Sequence, residues 1–212
     1  MNDKTIVYIT SNGDYDVLEH EVRETIRAHA AGIPIVSVSH KPLDFGDNIC
    51  VGDIGRHRHN IWKQLRLGAE RAQSRFLVIC EADFLYPPEF FAFTPENDST
   101  YYYPREGYIL WRRNRSFFRK RLDQLSGIVA RKHFLKLLDQ IQAEDVHEVG
   151  RAFNFVRFMR RATVQEQYEG GPVVTLKTDK QMHSKSPHLR DRRRRLPIWG
   201  RASEVWDKYK CE

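Results

Sequence analysis

"RFLVICEADFLYPPEFF", Arg75 to Phe91, is the stretch on which the fold turns. Phe76, Leu77, Val78, Ile79 and Cys80 form a short, unbroken apolar run, the pattern of a strand covered on both faces. Glu81 and Asp83 follow directly, and Pro87-Pro88 then breaks the chain. Along an extended backbone residues two apart face the same way, so the two carboxylates are expected to converge on one spot. Like charges that close repel each other unless a cation or a proton lies between them.

Working outward, the chain reads as α/β. "KTIVYIT" (Lys4 to Thr10) is a strand that ends in the polar turn "SNGD". Val17, Leu18, Val22, Ile26 and Ala30 have helical spacing that stops at Gly32, and "IPIVSVS" is a second strand. "HKPLDFGDNICVGDIG" is expected to be a loop. "RHRHNIWKQLRLGAERA" then puts Ile61, Leu65, Gly68, Ala69 and Ala72 on one helical face, with Trp62 as core or wall. Strand, helix, strand, loop, helix, strand is a Rossmann-like half on a parallel sheet, which binds ligands outside the carboxyl ends of its strands. Glu81 and Asp83 fall at such an end. Further on, "TYYYP" and "GYILW" are short strands of a mixed sheet. "LSGIVARKHFLKLLDQIQ" turns at Gly127 into a helix, and "GPVVTLKT" is a late strand.

The totals narrow the classes. The 212 residues, 41% hydrophobic and 30% charged, suit one soluble domain with a proper core. No apolar run approaches the roughly 18–20 residues of a membrane span. "MNDKTIVYIT" does not read as a secretory signal. Three widely spaced cysteines, Cys50, Cys80 and Cys211, fit reduced thiols in a cytoplasmic protein (the host cytoplasm, were it viral) and not a zinc site. The net charge of +7 is concentrated in "WRRNRSFFRKRL" and "HLRDRRRRLPIW", where arginines mix with aromatics. Trp111, Arg112, Arg113, Arg192 and Arg193 are the candidates there for contact with a nucleic acid or other polyanion. A solvated basic face, or arginines on a nucleotide diphosphate, is the ordinary alternative.

No G-x-G-x-x-G follows the first strand and no G-x-x-x-x-G-K-[ST] occurs, which argues against a dinucleotide dehydrogenase and a P-loop NTPase. A different way to hold a diphosphate is a divalent cation bridging it to carboxylate. Mn²⁺ or Mg²⁺ takes oxygen ligands and keeps several waters. Glu81-Ala82-Asp83 fits that task.

With these residues in view, "ICEADFLYPPEFF" resembles the metal-binding segment of glycosyltransferases of the GT-A fold, more narrowly a bacterial and phage group with an acidic-x-Asp-x-Leu-Tyr-Pro-Pro-Glu segment. The resemblance covers most of the chain, through segments that agree in order. It implies a Rossmann-like GT-A fold with a central, mostly parallel sheet flanked by helices. Residues 1–95 would be the nucleotide-binding half, 96–183 the acceptor-side half and 184–212 a basic tail of one domain. It implies Asp83, Glu81 and His183 as metal ligands, the last from "VVTLKTDKQMHSKSP". Ser126 and Gly127 of "LSGIVARKHFL" would lie beside the donor sugar, and Thr10 and Asn12 near the nucleotide. "LPIWG" resembles the family's closing segment.

Asp53 and Arg58 flank the helix before the metal segment, where a cation could reach the diphosphate; Arg56 and Lys63 are rivals for that role. An inverting transfer needs a carboxylate to take the acceptor's proton. Glu148 in "HEVGR" comes first, then Asp145 and Glu144. The expected activity is transfer of a sugar from a nucleotide-diphosphate sugar, a UDP-sugar first, to a hydroxyl. The acceptor is a hydroxymethylated pyrimidine in DNA, or else a cell-surface or lipid-linked glycan. A non-catalytic nucleic-acid-binding protein and a nucleotidyltransferase are the competing classes.

Overall fold

The structure, a computed structural model, describes residues 3–30, 32–56, 58–111, 114–120, 125–145, 155–178 and 190–209. The first half runs β1 (Lys4–Thr10), α1 (Asp16–His29), β2 (Ile35–Ser39), β3 (Asp47–Cys50), α2 (Arg58–Arg71) and β4 (Phe76–Glu81). It continues through β5 (Phe84–Leu85), α3 (Pro88–Ala92), β6 (Thr100–Pro104), β7 (Gly107–Trp111), β8 (Ser116–Arg119) and β9 (Gly127–Ala130). The remainder is α4 (Arg131–Asp145), α5 (Phe155–Ala162), β10 (Val164–Tyr168), β11 (Val173–Lys177), β12 (Arg190–Arg193), β13 (Arg195–Leu196), β14 (Gly200–Arg201) and α6 (Ala202–Lys208).

β1 and β4 lie at the centre of a seven-stranded sheet of order β10-β6-β9-β4-β1-β2-β3. All its pairings are parallel except those of β9, which runs antiparallel to both β4 and β6. The apolar run of β4 divides by alternation. Phe76, Val78 and Cys80 face one core with Leu18, Val22 and Ile26 of α1. Leu77 and Ile79 face the other, with Leu65 and Ala69 of α2 and Phe134, Leu137 and Ile141 of α4. Each fully buried side chain of this kind contributes about 1.5–3 kcal/mol. A smaller sheet, β12-β8-β7-β11-β5, closes the α1 side.

Several expectations change in detail. Residues 40–55, expected to be loop, contain β3. Its pattern hides it, because an edge strand carrying Asp47 and Asn48 has no apolar alternation; the Asn48 amide is held by the hydroxyls of Ser37 and Ser39. Val17 is 57% exposed, so the buried face of α1 runs through Leu18, Val22 and Ile26. Gly127 does not make a turn; it opens β9, where a Cβ would lie 2.5 Å from the Tyr102 carbonyl oxygen. "TYYYP" and "GYILW" are strands, but in different sheets. Pro87 and Pro88 open a helix: Pro87 is extended and Pro88 takes the first turn of α3, where a missing N–H costs nothing. Among the described residues no helix is long and apolar enough to cross a membrane.

Gly68 is where α2 touches the sheet, since a Cβ there would sit 2.4 Å from Val7 Cγ1. Gly68→Ala gains about 1 kcal/mol of helix propensity but overpacks a rigid contact. Chemical denaturation should show net destabilisation of about 1 kcal/mol or more, with Gly68→Ala/Val7→Ala recovering part of it.

Candidate functional site at the carboxyl ends of the strands

Strand ends converge on Glu81. β1 brings Thr10, with Ile9 paired to Glu81, and the end of β11 brings Lys177. Because β9 runs the opposite way, its amino end lies here: Gly127 pairs with Ile79, and Ser126 reaches Glu81.

Three hydrogen bonds form a closed ring. The Glu81 backbone N–H donates to the Tyr86 hydroxyl at 2.8 Å, and Ser126 Oγ donates to Glu81 Oε1 at 3.1 Å. Tyr86 and Ser126 share a 2.7 Å contact. An ionised carboxylate only accepts, so Tyr86 must donate to Ser126 and the ring has one direction. Burial, followed by the charge of Asp83, raises the Glu81 pKa to about 7, while Lys120, Ser126 and Lys177 act the other way. Burial also lifts the Tyr86 phenol well above its usual value, which keeps its proton in place.

Asp83 faces elsewhere. β4 ends at Glu81 and the chain turns through Ala82 and Asp83 into β5, so the extended geometry expected for residues 81–83 does not hold. The carboxylates feel each other's charge but have separate partners. Asp83 Oδ2 lies 3.4 Å from Lys177 Nζ, with the two side chains 22% and 19% exposed. The Leu176 N–H bonds the Asp83 carbonyl at 2.9 Å and fixes the turn against β11.

The loop after β1 is built as tightly. Thr10 Oγ1 donates to Glu19 Oε2 at 2.8 Å and accepts the Asn12 N–H at 2.8 Å. Glu19 is buried, and burial raises its pKa. Asn12 adopts a left-handed φ of 49°, a conformation asparagine tolerates, and its Oδ1 accepts the Lys41 N–H. Thr178 Oγ1 donates to Asp14 Oδ1 at 2.9 Å, joining this loop to the end of β11. Gln64 Nε2 donates to the carbonyls of Thr10 and Val38, tying α2 to two strand ends. Arg56 lies against the same loop, its guanidinium carbon 2.7 Å from where a Cβ on Gly13 would stand.

No protein-family model and no curated protein matches the sequence. Solved structures do. The glycosyltransferase GlyE of Streptococcus pneumoniae TIGR4 superposes with a TM-score of 0.56 at 9% identity, over 98% of this chain and 60% of its own. GalNAc-T7, crystallised with UDP, GalNAc and Mn²⁺, gives 0.55 at 11% identity, over 98% of this chain and 49% of its own. S. aureus TarS, in complex with UDP-GlcNAc, gives 0.51 at 10% identity over 88% and 61%. This chain has the GT-A fold. It spans about half to three fifths of the length of these structures. Identity this low carries the fold and nothing finer.

Within the GT-A fold the expected residues divide three ways. Asp83, Glu81, Thr10, Asn12, Ser126 and Gly127 surround the converging strand ends. Ser126 is wholly buried and Thr10 is 5% exposed, with both hydroxyls committed to protein partners. Asp53 is exposed beside His40, and Lys63 is exposed on α2. Trp111, partly buried, is paired with Lys177 across β7 and β11. Exposed Arg192 donates to Ser116, and the Arg193 guanidinium lies 5.6 Å from the Tyr108 ring. Arg112, Arg113, Glu148 and His183 lie outside the described residues, as do the side chains of Arg58, Asp145 and Glu144.

Glu19, Gln64, Tyr86 and Lys177 were not singled out from sequence. Tyr86 alone left a local signal, a polar aromatic between the acid pair and Pro87. Among the described residues no group of three His, Cys, Asp or Glu side chains could hold a metal. Glu81 and Asp83 still present the oxygens a hard cation takes, and their mutual repulsion is what such an ion relieves. Diphosphate oxygens and waters would complete its shell.

Tyr86→Phe removes the hydroxyl from the ring and leaves the Glu81 N–H and the Ser126 hydroxyl each short of a buried partner. Equilibrium unfolding should show a loss of about 1–3 kcal/mol, and Tyr86→Phe/Ser126→Ala should cost less than the sum of the single changes.

Proposed function

We propose that the chain is a divalent-metal-dependent glycosyltransferase, moving a sugar from a nucleotide-diphosphate sugar, a UDP-sugar, to an acceptor hydroxyl. The observation that carries this reading is the position of Glu81 and Asp83, two acids at the carboxyl end of the central strand of a GT-A sheet. The presence of UDP and Mn²⁺ in the GalNAc-T7 structure and of UDP-GlcNAc in that of TarS supports it.

In this reading Asp83 and Glu81 hold Mn²⁺ or Mg²⁺, with His183 as a further ligand. A bound ion there offsets the charge that builds on the leaving diphosphate. The Tyr86–Ser126 ring fixes the Glu81 carboxylate, and Ser126 and Gly127 mark the strand end beside which the sugar would lie. The loop of Thr10 and Asn12 receives the nucleotide. Arg56, packed on Gly13, is the cation best placed beside that loop; Arg58, Lys63 and Asp53 belong to the same rim. The acceptor oxygen bonds to the anomeric carbon as the bond to the diphosphate oxygen breaks. Glu148 or Asp145 takes the acceptor's proton if configuration inverts.

A hydroxymethylated pyrimidine in duplex DNA is the acceptor we favour. Arg192, Arg193, Arg194 and Arg195 are exposed in succession. Strand register aligns Arg193, through Phe117 and Leu110, with Leu176 beside Lys177. Four interstrand spacings, about 19 Å, separate that basic edge from Asp83 on the β5 side of β11, a span a duplex bridges. Trp111 stands between them, with Arg112 and Arg113 next in sequence.

Incubation with a panel of sugar nucleotides and Mn²⁺ should release a nucleoside diphosphate, identified by mass spectrometry. Asp83→Ala should lower that rate about 100-fold or more. Consumption of a nucleoside triphosphate with release of pyrophosphate would replace this reading with nucleotidyl transfer. Separately, the logarithm of duplex DNA affinity should fall linearly with that of salt, and Arg192→Ala/Arg193→Ala should reduce the slope by about 2. Absent or salt-insensitive binding removes the DNA acceptor and leaves sugar transfer standing.

A further inference from the structure

Lys177 closes β11, and its ammonium stands 3.4 Å from Asp83 Oδ2, both groups mostly withdrawn from water. A second ammonium, that of Lys120, lies 4.9 Å from the Phe84 ring and acts on Glu81. With both carboxylates ionised, as an ion's ligands are, the two acids and two ammoniums sum to zero. A divalent ion added to this set leaves two positive charges over. A nucleotide-sugar diphosphate brings about two negative charges, one per phosphate as in a nucleic-acid backbone. The set then closes at neutrality only if the lysines stay in the site.

We propose that Lys177 exchanges partners: it holds Asp83 while no divalent ion is bound, and turns to the donor's diphosphate once an ion takes that carboxylate. Nothing in the sequence motif assigns it this part, and the inference rests on the glycosyltransferase reading above. The chemistry of lysine suits the exchange. Its charge sits on a flexible four-carbon stem, whereas an arginine would grip Asp83 through two parallel bonds and resist release. The backbone does not need to move. The Leu176 N–H remains on the Asp83 carbonyl at 2.9 Å, and Thr175 remains paired with Phe84, which fixes the Lys177 Cα beside the acid pair. The bond from Thr178 to Asp14 holds the strand end against the β1–α1 loop, so a turning side chain stays within the nucleotide's reach. Lys120 is the second, stationary counter-charge.

A permanent salt bridge makes a different prediction from an exchange. Mn²⁺ binding to the full chain without nucleotide can be titrated by electron paramagnetic resonance. UDP binding at saturating Mn²⁺ can be followed by calorimetry. Lys177→Met removes the ion's competitor, so Mn²⁺ affinity should rise about two- to fivefold. It also removes a charge-assisted contact to phosphate, so UDP affinity should fall about ten- to hundredfold. Lys177→Gln should repeat both effects with a side chain that still hydrogen-bonds Asp83, and Lys177→Arg should restore part of the UDP affinity. If Mn²⁺ binding in the neutral variants is unchanged or weaker, or UDP binding is unchanged, the exchange is wrong while sugar transfer stands. If the wild-type chain binds neither Mn²⁺ nor UDP, the glycosyltransferase reading fails and the exchange fails with it.

Discussion

A carboxylate at the end of a strand covered on both faces takes its partners sideways, from the neighbouring strand ends. Glu81 is in that position. Ile79 and Cys80 are sealed in opposite cores immediately before it, and burial is the largest cause of the rise in its pKa. Ser126, ahead of β9, bonds the carboxylate; Tyr86, from the turn before α3, takes the Glu81 backbone N–H and braces Ser126; and Lys120, after β8, acts through its charge. The layout of the second half of the chain follows from this one charge. Two strands placed differently would leave a buried carboxylate unsatisfied, at a cost of several kcal/mol.

Sequence carried the local features well. An apolar run with helical segments around it specifies β4 and its two covered faces, and an acidic pair just past the run specifies which end of the sheet matters. Leu65, Gly68 and Ala69 fall on the buried side of α2 as their spacing requires. What sequence could not carry is contact between distant positions. Asp83 and Lys177 are 94 residues apart and Tyr86 and Ser126 are 40 apart, so no window of the chain contains either pair. β3 escaped because it is held by backbone pairing and an asparagine amide, with nothing for a periodicity to detect. Glu19 escaped for the opposite reason: it stands in the first turn of α1, where an acidic residue already has an ordinary role at the positive end of the helix.

The residues expected to touch a donor also differ in kind. Thr10 and Ser126 sit at the converging strand ends, yet each hydroxyl is taken by protein, through Asn12 and Glu19 for the one and Tyr86 and Glu81 for the other. Arg56, a rival candidate from sequence, is the cation that packs on the first loop, since Gly13 leaves space for a guanidinium where any other residue would intrude. Site and scaffold are continuous here.

One reversed strand has a last consequence for how this molecule can vary. In the seven-stranded sheet, the parallel strands β1, β2 and β4 deliver their carboxyl ends to the working rim, and β9 delivers its amino end. Leu125 and Ser126 thus enter β9 at that rim, whereas the junction from Ala130 into α4 lies at the opposite edge. Changes of length ahead of Leu125 therefore enter the sheet beside Glu81. A residue added or removed after Ala130 would instead turn α4 by about 100° and carry Phe134, Leu137 and Ile141 off their core.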